Sequence, residues 1–535
     1  MAKRVAVIGG GCSGLAAIKC CVDEGLEPVC FERTDEVGGL WHYTDHVRNG
    51  QACVMRSTVI NTSKEMMCFS DYPVPKENPN YMHNSQVLQY FKDYAEHFKL
   101  YDHIQYNTEV VMVKRAADFA KTGKWNLQIR DHMSGEERTE TFDAVLVCTG
   151  HHAEKNEPTF PGLSDFKGRV VHSHDYREPS DYVGKRMVVV GFGNSGGDLA
   201  VELSRCGQVF LSTRRGAWVF KRLGQAGGLP LDVVTKTRLQ TAINSFLPIS
   251  VLRSRVRRQL NKQLDHDLYG LTPAYPPLTS HTVVNDDLAN RIACGSIKVK
   301  TDVKKFNPTS VEFVDGTVEE NIDVVLLATG YIFGFPFIEK SVIDVKENRL
   351  PFYKYMFPPD LEHKTLAVIG CVQPLGATVP LSEVQCRLAT RVFKDEVKLP
   401  PAPAMWEDIQ AKENAMAQRY WKSQRHTIQV DWIPFMDELA ELNGCKPDVA
   451  HLLKTDPVLA WHVITGPCTP YQYRLMGPGK WAGARDAILT TMDRVRFPLA
   501  TRPVPGDSGK DDRQWFLFWF SALVVFVIVV RFLFG

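Results

Sequence analysis

The sequence predicts an α/β protein with two Rossmann-like dinucleotide-binding domains, the second inserted into the first, and a C-terminal transmembrane helix. Three observations support this prediction. A glycine-rich turn joins a strand to a helix at the N-terminus, the same pattern recurs after residue 185, and the end of the chain is a long apolar stretch. At 535 residues the chain is long enough for two or three domains.

The first glycine turn follows a buried strand of residues 5–8 and has the spacing Gly9-x-Gly11-x-x-Gly14. In such a turn the first glycine permits the tight bend, the second lets a pyrophosphate approach the backbone, and the third lets the helix pack closely on the strand. The next strand ends at Glu32, where this fold places the carboxylate that accepts hydrogen bonds from an adenosine ribose. The predicted contacts of this site are Gly9, Gly10, Gly11, Cys12, Ser13, Gly14 and Glu32.

The pattern recurs as a strand of residues 185–190 and a second G-x-G-x-x-G turn that starts at Gly191. Each copy also closes alike, on an apolar strand that stops at Thr-Gly, residues 149–150 in the first copy and 329–330 in the second. Two coincidences at matched spacing indicate a tandem pair of nucleotide-binding units rather than two unrelated α/β units.

The two units differ after their second strands. The second unit has Thr213, Arg214 and Arg215 where the first has Glu32. Because the planar guanidinium of arginine suits a phosphate and a carboxylate repels one, the first site is predicted to bind FAD and the second NADPH rather than NADH. The predicted contacts in the second site are Gly191, Gly193, Asn194, Ser195, Gly196, Gly197, Asp198, Thr213 and Arg214.

A third strand-like run, residues 365–369, precedes a helix-like segment near 382–393 and predicts that the chain returns to the first sheet. The NADPH unit is then inserted into the FAD unit, and both sites lie at the carboxyl ends of strands. The predicted domains are the first part of the FAD-binding domain (1–154), the NADPH-binding domain (155–330) with a membrane-facing insertion (about 214–297), the return part of the FAD-binding domain (331–445), a helical or irregular region with a linker (446–512) and a transmembrane anchor (513–535).

Composition excludes several classes of function. The net charge of +2 gives no case for a nucleic-acid partner. The 13 cysteines include no C-x-x-C pair, which argues against a zinc site or a disulfide framework and for a reducing compartment. His151 and His152 follow the first Thr-Gly without metal-ligand spacing and are interpreted as structural. The oligomeric state stays open, a homo-oligomer included.

Five motifs occur together in this chain: Phe166-x-Gly168-x-x-x-His172-x-x-x-Tyr176, Leu327–Tyr331, Gly38–Trp41, Asn61–Met66 and Gly193–Asp198. Their combination resembles the flavin-containing monooxygenases, and more closely the microsomal vertebrate branch of N-oxide-forming dimethylaniline monooxygenases. The resemblance covers essentially the whole chain. One departure is Met55, where an aromatic residue is expected and where packing beside the flavin is affected. The resemblance assigns further cofactor contacts to Gly39, Leu40, Trp41, Ile60, Asn61 and Thr62.

The resemblance implies a reaction. NADPH reduces FAD, NADP+ stays bound, and oxygen adds to give a C4a-hydroperoxyflavin that waits for a soft nucleophile. A nitrogen or sulfur atom of a small lipophilic amine or sulfide, typically a xenobiotic, takes the distal oxygen. The hard chemistry belongs to the flavin, while the protein holds both cofactors and excludes water.

Asn61 is the candidate catalytic residue. A neutral amide donates hydrogen bonds without offering a proton that would hasten the loss of peroxide. Two alternatives stay open: Asn61 caps the helix that starts near Lys64, or Asn61-Thr62-Ser63 is a glycosylation acceptor, which would need a lumenal protein.

Other activities fit the same motifs. Baeyer–Villiger oxygenation of ketones would need the peroxide as a deprotonated nucleophile, and a leaky site would give an NADPH oxidase that releases hydrogen peroxide. A disulfide reductase is disfavoured because no C-x-x-x-x-C follows the first glycine turn. A membrane-anchored scaffold that has lost turnover is a hypothesis from another class, and the intact glycine turns speak against it.

Two segments predict membrane contact. Residues 249–264 place apolar side chains at helical spacing with arginines largely off that stripe, which is typical of a helix at a bilayer interface or of an ordinary surface helix. Residues 515–530 carry no charge and only Ser521 as a polar residue, and with 531–534 they give about 30 Å of helix. Lys510 and Arg513 before this stretch place the body of the protein on the cytoplasmic side. The endoplasmic reticulum is the location that the resemblance implies.

Overall fold

The structure is a computed structural model that describes residues 2–48, 50–224, 227–421 and 426–502. Its strands are β1 Arg4–Ile8, β2 Glu27–Phe31, β3 Ile104–Gln105, β4 Thr108–Arg115, β5 Trp125–Asp131, β6 Glu137–Phe142, β7 Ala144–Val147, β8 Glu154–Lys155, β9 Arg169–His172, β10 Arg186–Val190, β11 Gln208–Ser212, β12 Val219–Phe220, β13 Val283–Val284, β14 Ile297–Lys300, β15 Val303–Phe306, β16 Val311–Phe313, β17 Val318–Glu319, β18 Val324–Leu327, β19 Tyr331–Ile332, β20 Leu366–Val368, β21 Gln373–Pro374 and β22 Gln429–Val430.

The helices are α1 Cys12–Asp23, α2 Lys64–Met67, α3 Asn84–His97, α4 Phe119–Thr122, α5 Asn194–Leu203, α6 Leu231–Thr235, α7 Arg238–Phe246, α8 Ile249–Asn261, α9 Leu288–Ala293, α10 Val379–Phe393, α11 Ala402–Arg419, α12 Trp432–Asn443, α13 Val449–Thr455, α14 Pro457–Thr465, α15 Ala484–Leu489 and α16 Thr491–Arg496. Short 3-10 turns occur at Gly39–Trp41, Leu100–His103, Leu163–Asp165, Ser180–Tyr182, Pro470–Arg474 and Phe497–Leu499.

Two five-stranded parallel sheets organise the molecule. The first has the order β20-β7-β1-β2-β3 and the second β14-β11-β10-β18-β9. In each sheet the strand that precedes the glycine turn lies in the middle, between the second strand of its unit and the strand that ends at Thr-Gly. The predicted α/β class and the predicted tandem repeat are confirmed, and the repeat extends to a three-stranded antiparallel sheet in each unit, β4-β5-β6 and β15-β16-β17.

The second unit is inserted into the first, as the sequence predicted. Strand β20 returns to the first sheet and pairs with β7, with Leu366 opposite Val145. The chain passes from the first unit to the second at β8 and returns at β19. These two crossing segments lie side by side, because β8 pairs with β19 in an antiparallel ribbon. Asn156 ties this ribbon further: its backbone N–H donates to Gly330 O at 3.0 Å, and its side-chain amide donates to Thr329 O at 3.0 Å.

Each sheet has its own hydrophobic core. The core of the first unit includes the fully buried residues of β1 and α1 and extends through α10 and α12 into the C-terminal region. The second sheet has one cluster on each face. Met55 lies in the second unit's core although its segment belongs to the first unit, so its side chain joins the two units. An unbranched methionine fits such an irregular contact.

The C-terminal region packs on the first unit. Leu452, Leu459, Tyr471 and Val495 belong to the same core as β1 and α1. A buried ion cluster supports this contact: Arg474 lies 2.7 Å from Glu383 and 2.8 Å from Asp71, which also pairs with Lys19 of α1 at 2.8 Å. All four side chains are at most 8% exposed.

The predicted amphipathic helix exists as α8 in the insertion of the second unit. Its neighbour α7 ends at Phe246, which is 79% exposed, and Ile249 at the start of α8 is 49% exposed. Within the parts of residues 2–502 that the structure describes, no helix combines the length and the apolar character needed to span a bilayer. The predicted anchor, residues 513–535, lies outside the described residues.

Candidate active site

The first glycine turn leaves no room for larger residues. Gly9 has a φ of +101°, and a Cβ there would lie 2.9 Å from Cys148 O. A Cβ on Gly14 would lie 1.9 Å from Gly9 O, so helix α1 packs directly against the turn. No side chain caps the helix start at Cys12 and Ser13, which leaves backbone N–H groups of its first turn for an anion.

Glu32 lies beside this turn, as predicted. Its Oε2 accepts the Gly10 N–H at 2.6 Å, and its Oε1 accepts the N–H and the hydroxyl of Thr34 at 2.9 and 2.8 Å. These bonds fix the carboxylate and leave it lone pairs for a ribose hydroxyl. The side chain is buried, so an adenosine held there would be shielded from water.

The Gly-Gly-Leu-Trp segment meets the turn. A Cβ on Gly39, whose φ is +54°, would lie 3.1 Å from the Gly11 Cα, so the two backbones form a narrow cradle. Leu40 and Trp41 follow in a half-buried 3-10 turn. The cradle fits an extended group that approaches two backbones at once, which a dinucleotide pyrophosphate does.

Sequence reasoning missed a third wall of this pocket. Gly370, with a φ of +72°, would place a Cβ 2.5 Å from the Ser13 Oγ, and Ser13 hydrogen bonds to Ser382 of α10 at 3.1 Å. Gly370 comes two residues after β20, at the same edge of the sheet as the glycine turn. Sequence reasoning could have found Gly370, because the carboxyl ends of parallel strands meet at the same edge of a sheet and β20 was predicted to join the first sheet.

The second glycine turn repeats the first closely. Gly191 has a φ of +105° and would place a Cβ 2.5 Å from Ala328 O, while a Cβ on Gly196 would lie 2.1 Å from Gly191 O. Gly193 precedes α5, whose start carries no side-chain cap, so Asn194 and Ser195 offer free backbone donors. Gly197 faces β13, where its Cβ would lie 3.3 Å from Val283.

Two side chains at the start of α5 are hydrogen bonded to β13 and to the residue that follows it. Asn194 Oδ1 accepts the Val284 N–H at 2.9 Å, and Asp198 Oδ1 accepts a hydrogen bond from the Asn285 side chain at 3.0 Å. Burial raises the pKa of Asp198 to about 6, against the favourable field of Arg222.

The end of β11 differs from that of β2, as predicted. Thr213 Oγ1 accepts the Gly216 N–H at 3.0 Å, and the Arg214 side chain is exposed. The Arg215 guanidinium instead lies 4.9 Å from the ring centre of Trp421. Arg214 is therefore the arginine that is available to a phosphate, and this assignment stays a prediction.

Asn61 faces an arginine that the sequence did not point to. Arg222 Nη2 donates to Asn61 Oδ1 at 2.8 Å and to Val59 O at 3.2 Å, and its Nη1 pairs with Asp286 at 2.7 Å. Arginine has donors and no acceptor, so the atom of Asn61 that faces Arg222 is its amide oxygen, and the NH2 group stays available as a donor. Asn61 is thereby held as a hydrogen-bond donor.

The helix-capping alternative for Asn61 is wrong. Helix α2 starts at Lys64, and its N-cap is Ser63, which makes no side-chain capping bond. Thr62 and Asn61 lie in the bend before it and are half-buried, whereas Ile60 is 8% exposed and donates its N–H to Met82 O at 3.0 Å. Nothing in the structure bears on glycosylation.

His151 and His152 lie at the crossing between the units. Their rings are 4.2 Å apart, and the His152 ring lies 5.3 Å from that of Tyr331. Burial and the neighbouring His152 hold the pKa of His151 well below its usual range, so this ring is neutral near pH 7. A neutral ring packed at a domain crossing agrees with the structural interpretation.

Comparisons with known proteins identify the family of this chain. The family model described as flavin-binding monooxygenase-like matches residues 2–534. Flavin-containing monooxygenase 5 of Rattus norvegicus is 52% identical over 510 residues, 95% of each chain, and dimethylaniline monooxygenase [N-oxide-forming] 2 of the same organism is 48% identical over 505 residues, 94% of this chain. The solved structure of S-allyl-L-cysteine S-oxygenase from Allium sativum aligns with a TM-score of 0.63 at 24% identity and covers 86% of this chain and 95% of its own.

This chain belongs to the flavin-binding monooxygenase-like family, an enzyme class whose cofactors are FAD and NADP(H). It resembles the flavin-containing monooxygenases of vertebrates along nearly its whole length. The resemblance stated from the motifs is confirmed. The roles of the individual site residues stay predictions that the geometry supports.

Proposed function

We propose that this enzyme uses NADPH and O2 to oxygenate soft nucleophilic nitrogen or sulfur atoms of small lipophilic amines and sulfides. The observation that carries the proposal is the orientation of Asn61. Arg222 Nη2 donates to its amide oxygen, so this contact fixes which end of the amide is the acceptor and leaves the NH2 group as a donor. A neutral donor stabilises negative charge that develops on oxygen and offers no acidic proton.

Each cofactor has a site whose geometry fits it. The Gly11–Gly39 cradle and Glu32 would hold FAD, with the first-turn N–H groups of α1 toward its phosphates. The first turn of α5 would hold the NADPH pyrophosphate, and Arg214 would meet its 2′-phosphate. The bound flavin supplies the activation of oxygen, and the residues of this chain bind, orient and exclude water.

Baeyer–Villiger oxygenation of ketones is the second candidate, and Arg222 is the observation that favours it. That reaction needs the reactive oxygen as an anion, and a guanidinium 2.8 Å from Asn61 Oδ1 stabilises negative charge nearby. Asp286 pairs with the same guanidinium and offsets much of its field. Oxygenation of nitrogen and sulfur is therefore the leading proposal, and the ketone reaction is tested beside it.

A stopped-flow experiment separates these activities. The FAD-loaded protein is reduced anaerobically with NADPH and mixed with oxygen without substrate. We expect a long-lived absorbing species that differs from oxidised flavin and is discharged by a sulfide. Direct return to oxidised flavin with stoichiometric hydrogen peroxide would show an oxidase instead. Discharge by a ketone and not by a sulfide would favour the Baeyer–Villiger reaction.

We also propose that residues 513–535 anchor the enzyme in the endoplasmic reticulum membrane, with the catalytic body in the cytoplasm and α7–α8 toward the bilayer. The apolar composition of the tail supports the anchor. The exposed Phe246 and Ile249 and the exposed basic residues of α8 support the second contact. Flotation with anionic vesicles tests both contacts. A chain that ends at residue 502 should bind the vesicles weakly and dissociate from them in high salt, whereas the full chain should stay bound in high salt.

A further inference from the structure

A hairpin of the second unit reaches across to the loop that carries Asn61. We call residues 222–224 and 227–232 the clasp hairpin and residues 59–63 the Asn61 loop. The two arms of the hairpin pair through Gly224 N–H to Leu229 O at 2.8 Å and Leu231 N–H to Arg222 O at 2.7 Å. Arg222 is the first residue of the first arm, and Asp232 is the last residue of the second arm, so both lie at the open end of the hairpin.

Both arms bind the Asn61 loop, at opposite ends. Arg222 contacts the oxygen atoms of Val59, Ile60 and Asn61 at 3.2, 3.4 and 2.8 Å. Asp232 Oδ2 accepts the Ser63 N–H at 2.7 Å. The guanidinium of Arg222 therefore holds three oxygen atoms of the loop, and the carboxylate of Asp232 holds one N–H. Both side chains belong to the second unit.

The chain beyond the loop is fixed independently. Lys64, the first residue of α2, is fully buried and donates from Nζ to Lys76 O and Asn78 O, both at 2.7 Å. Burial lowers the pKa of Lys64 to about 8. Ile60 donates its N–H to Met82 O at 3.0 Å, so the first unit fixes the loop before Asn61 and α2 fixes the chain after it. The freedom that remains lies in Asn61, Thr62 and Ser63.

We propose that Asp232 is a positioning residue for Asn61: by holding the Ser63 N–H while Arg222 holds the amide oxygen, it lets the second unit set the direction of the Asn61 donor. The inference rests on the proposed function only for the catalytic importance of that donor. The physical reason is that two anchors on a five-residue loop define the backbone on both sides of Asn61, whereas one anchor leaves a hinge. Asp232 touches no residue of either glycine turn in the described contacts, so it acts through the loop.

The experiment compares Asp232→Ala with Asp232→Asn in the FAD-loaded protein. Alanine removes the acceptor, and asparagine keeps one carbonyl oxygen for the Ser63 N–H. Burial raises the pKa of Asp232, so a neutral side chain suits the position. Thr235→Ala is the matched control, because Thr235 lies in the same short helix, is exposed, and donates its hydroxyl to Leu231 O within that helix.

Two readouts are combined. Hydrogen exchange in peptides that cover residues 59–66 should accelerate at least about tenfold in Asp232→Ala and stay near the unmodified rate in Asp232→Asn and in the control. The fraction of NADPH electrons that appears as hydrogen peroxide should rise in Asp232→Ala, with NADPH oxidation itself unchanged, and recover in Asp232→Asn.

Unchanged exchange and unchanged peroxide in Asp232→Ala would overturn the proposal. Faster exchange with unchanged peroxide would also overturn it, because the anchor would then have no effect on the donor. If the unmodified enzyme makes no oxygenated product, the proposed function fails instead, and the exchange data still decide whether Asp232 anchors the loop. A global loss of structure is recognised by accelerated exchange in α1 and α10. In that case Asp232→Ser, which shortens the side chain away from the Ser63 N–H, replaces Asp232→Ala, with the same expected and contradicting results.

Discussion

Two carboxylates stand at the two glycine turns in different surroundings. Glu32 accepts hydrogen bonds from the Gly10 N–H and from the N–H and hydroxyl of Thr34. Asp198 accepts a hydrogen bond from Asn285, and burial raises its pKa to about 6. The carboxyl group of Asp198 at the second glycine turn therefore gains or loses its proton near pH 6.

We expect NADP+ binding to tighten as Asp198 takes up its proton. A raised pKa means that the folded protein binds the proton more strongly, so Asp198 is mostly neutral below pH 6 and repels phosphates only above it. Titration calorimetry at pH 5.5 and 7.5 should show that Asp198→Asn removes a dependence of about fivefold, or about 1 kcal/mol. The 2′-phosphate titrates in the same range, so the difference between the two proteins is the informative quantity. An identical pH dependence would contradict the assignment.

Arg222 offers a second prediction at the scale of one residue. Arg222→Gln removes the cation and the contacts with the Val59 and Ile60 carbonyls, so the Asn61 amide loses its fixed direction. The yield of sulfoxide per NADPH should fall by about tenfold or more, as for other oriented donors. Product analysis by chromatography with a sulfide and a ketone measures this. Arg205→Gln is the control, because Arg205 forms an exposed pair with Asp287 in the same unit. Equal yields in the two variants would show that Arg222 is not needed.

The residues that sequence reasoning found are those whose role is local. The glycines of each turn and Glu32 act within about 25 residues of one another, and their spacing is imposed by backbone geometry. Arg222 and Asp232 meet the Asn61 loop from more than 150 residues away. Only the path of the clasp hairpin brings them there, and no spacing rule encodes it.

At the scale of elements, the ion cluster under α1 stands out. Helix α1 starts at the dinucleotide cradle and carries Lys19, whose partner Asp71 is shared with Arg474 of the C-terminal region. Four buried charges at this place give little net stability by themselves, but removing one leaves the others unpaired. The C-terminal region, for which the sequence suggested no chemistry, thus supports the helix at the first nucleotide site.

Arg474→Met should destabilise the protein strongly. It leaves Glu383 and Asp71 buried without their shared cation, and breaking such a cluster typically costs about 3–5 kcal/mol. Urea unfolding of the FAD-loaded protein, followed by flavin release and by circular dichroism, measures the loss. Arg485→Met is the control, since its pair with Asp456 is exposed and should be worth about 1 kcal/mol or less. A similar small loss in both variants would contradict the role of the cluster.

The sequence predicted the strands and helices correctly where a single pattern, such as a continuous apolar run, determines the element. The buried strands were found from continuous apolar runs, and their order follows from the rules of parallel sheets. The two antiparallel sheets and the clasp hairpin were not found, because half-exposed strands such as β6 and β17 show weak patterns and depend on their neighbours for stability.

For the whole molecule, the arrangement is one nucleotide-binding unit interrupted by another, with contacts that cross between them. Met55 of the first unit lies in the second core, and the clasp hairpin of the second unit holds the Asn61 loop of the first. The insertion was predicted from the strand-like run at residues 365–369, which returns the chain to the first sheet. These crossing contacts could not be predicted, because they depend on how the two units pack against each other.

The paired crossings have a consequence for the order of assembly. Strands β7 and β20 are neighbours in the first sheet, yet Val145 and Leu366 are separated by about 220 residues of chain. Once the inserted unit has formed and β8 lies on β19, the span still to be closed shrinks to roughly a fifth of that length, and the entropic cost of closure falls by about 1.4 kcal/mol. We therefore expect the interrupting unit to mature first during refolding. Pulsed hydrogen exchange should show protection of β10 and β18 before β7 and β20, and the reverse sequence would rule this out.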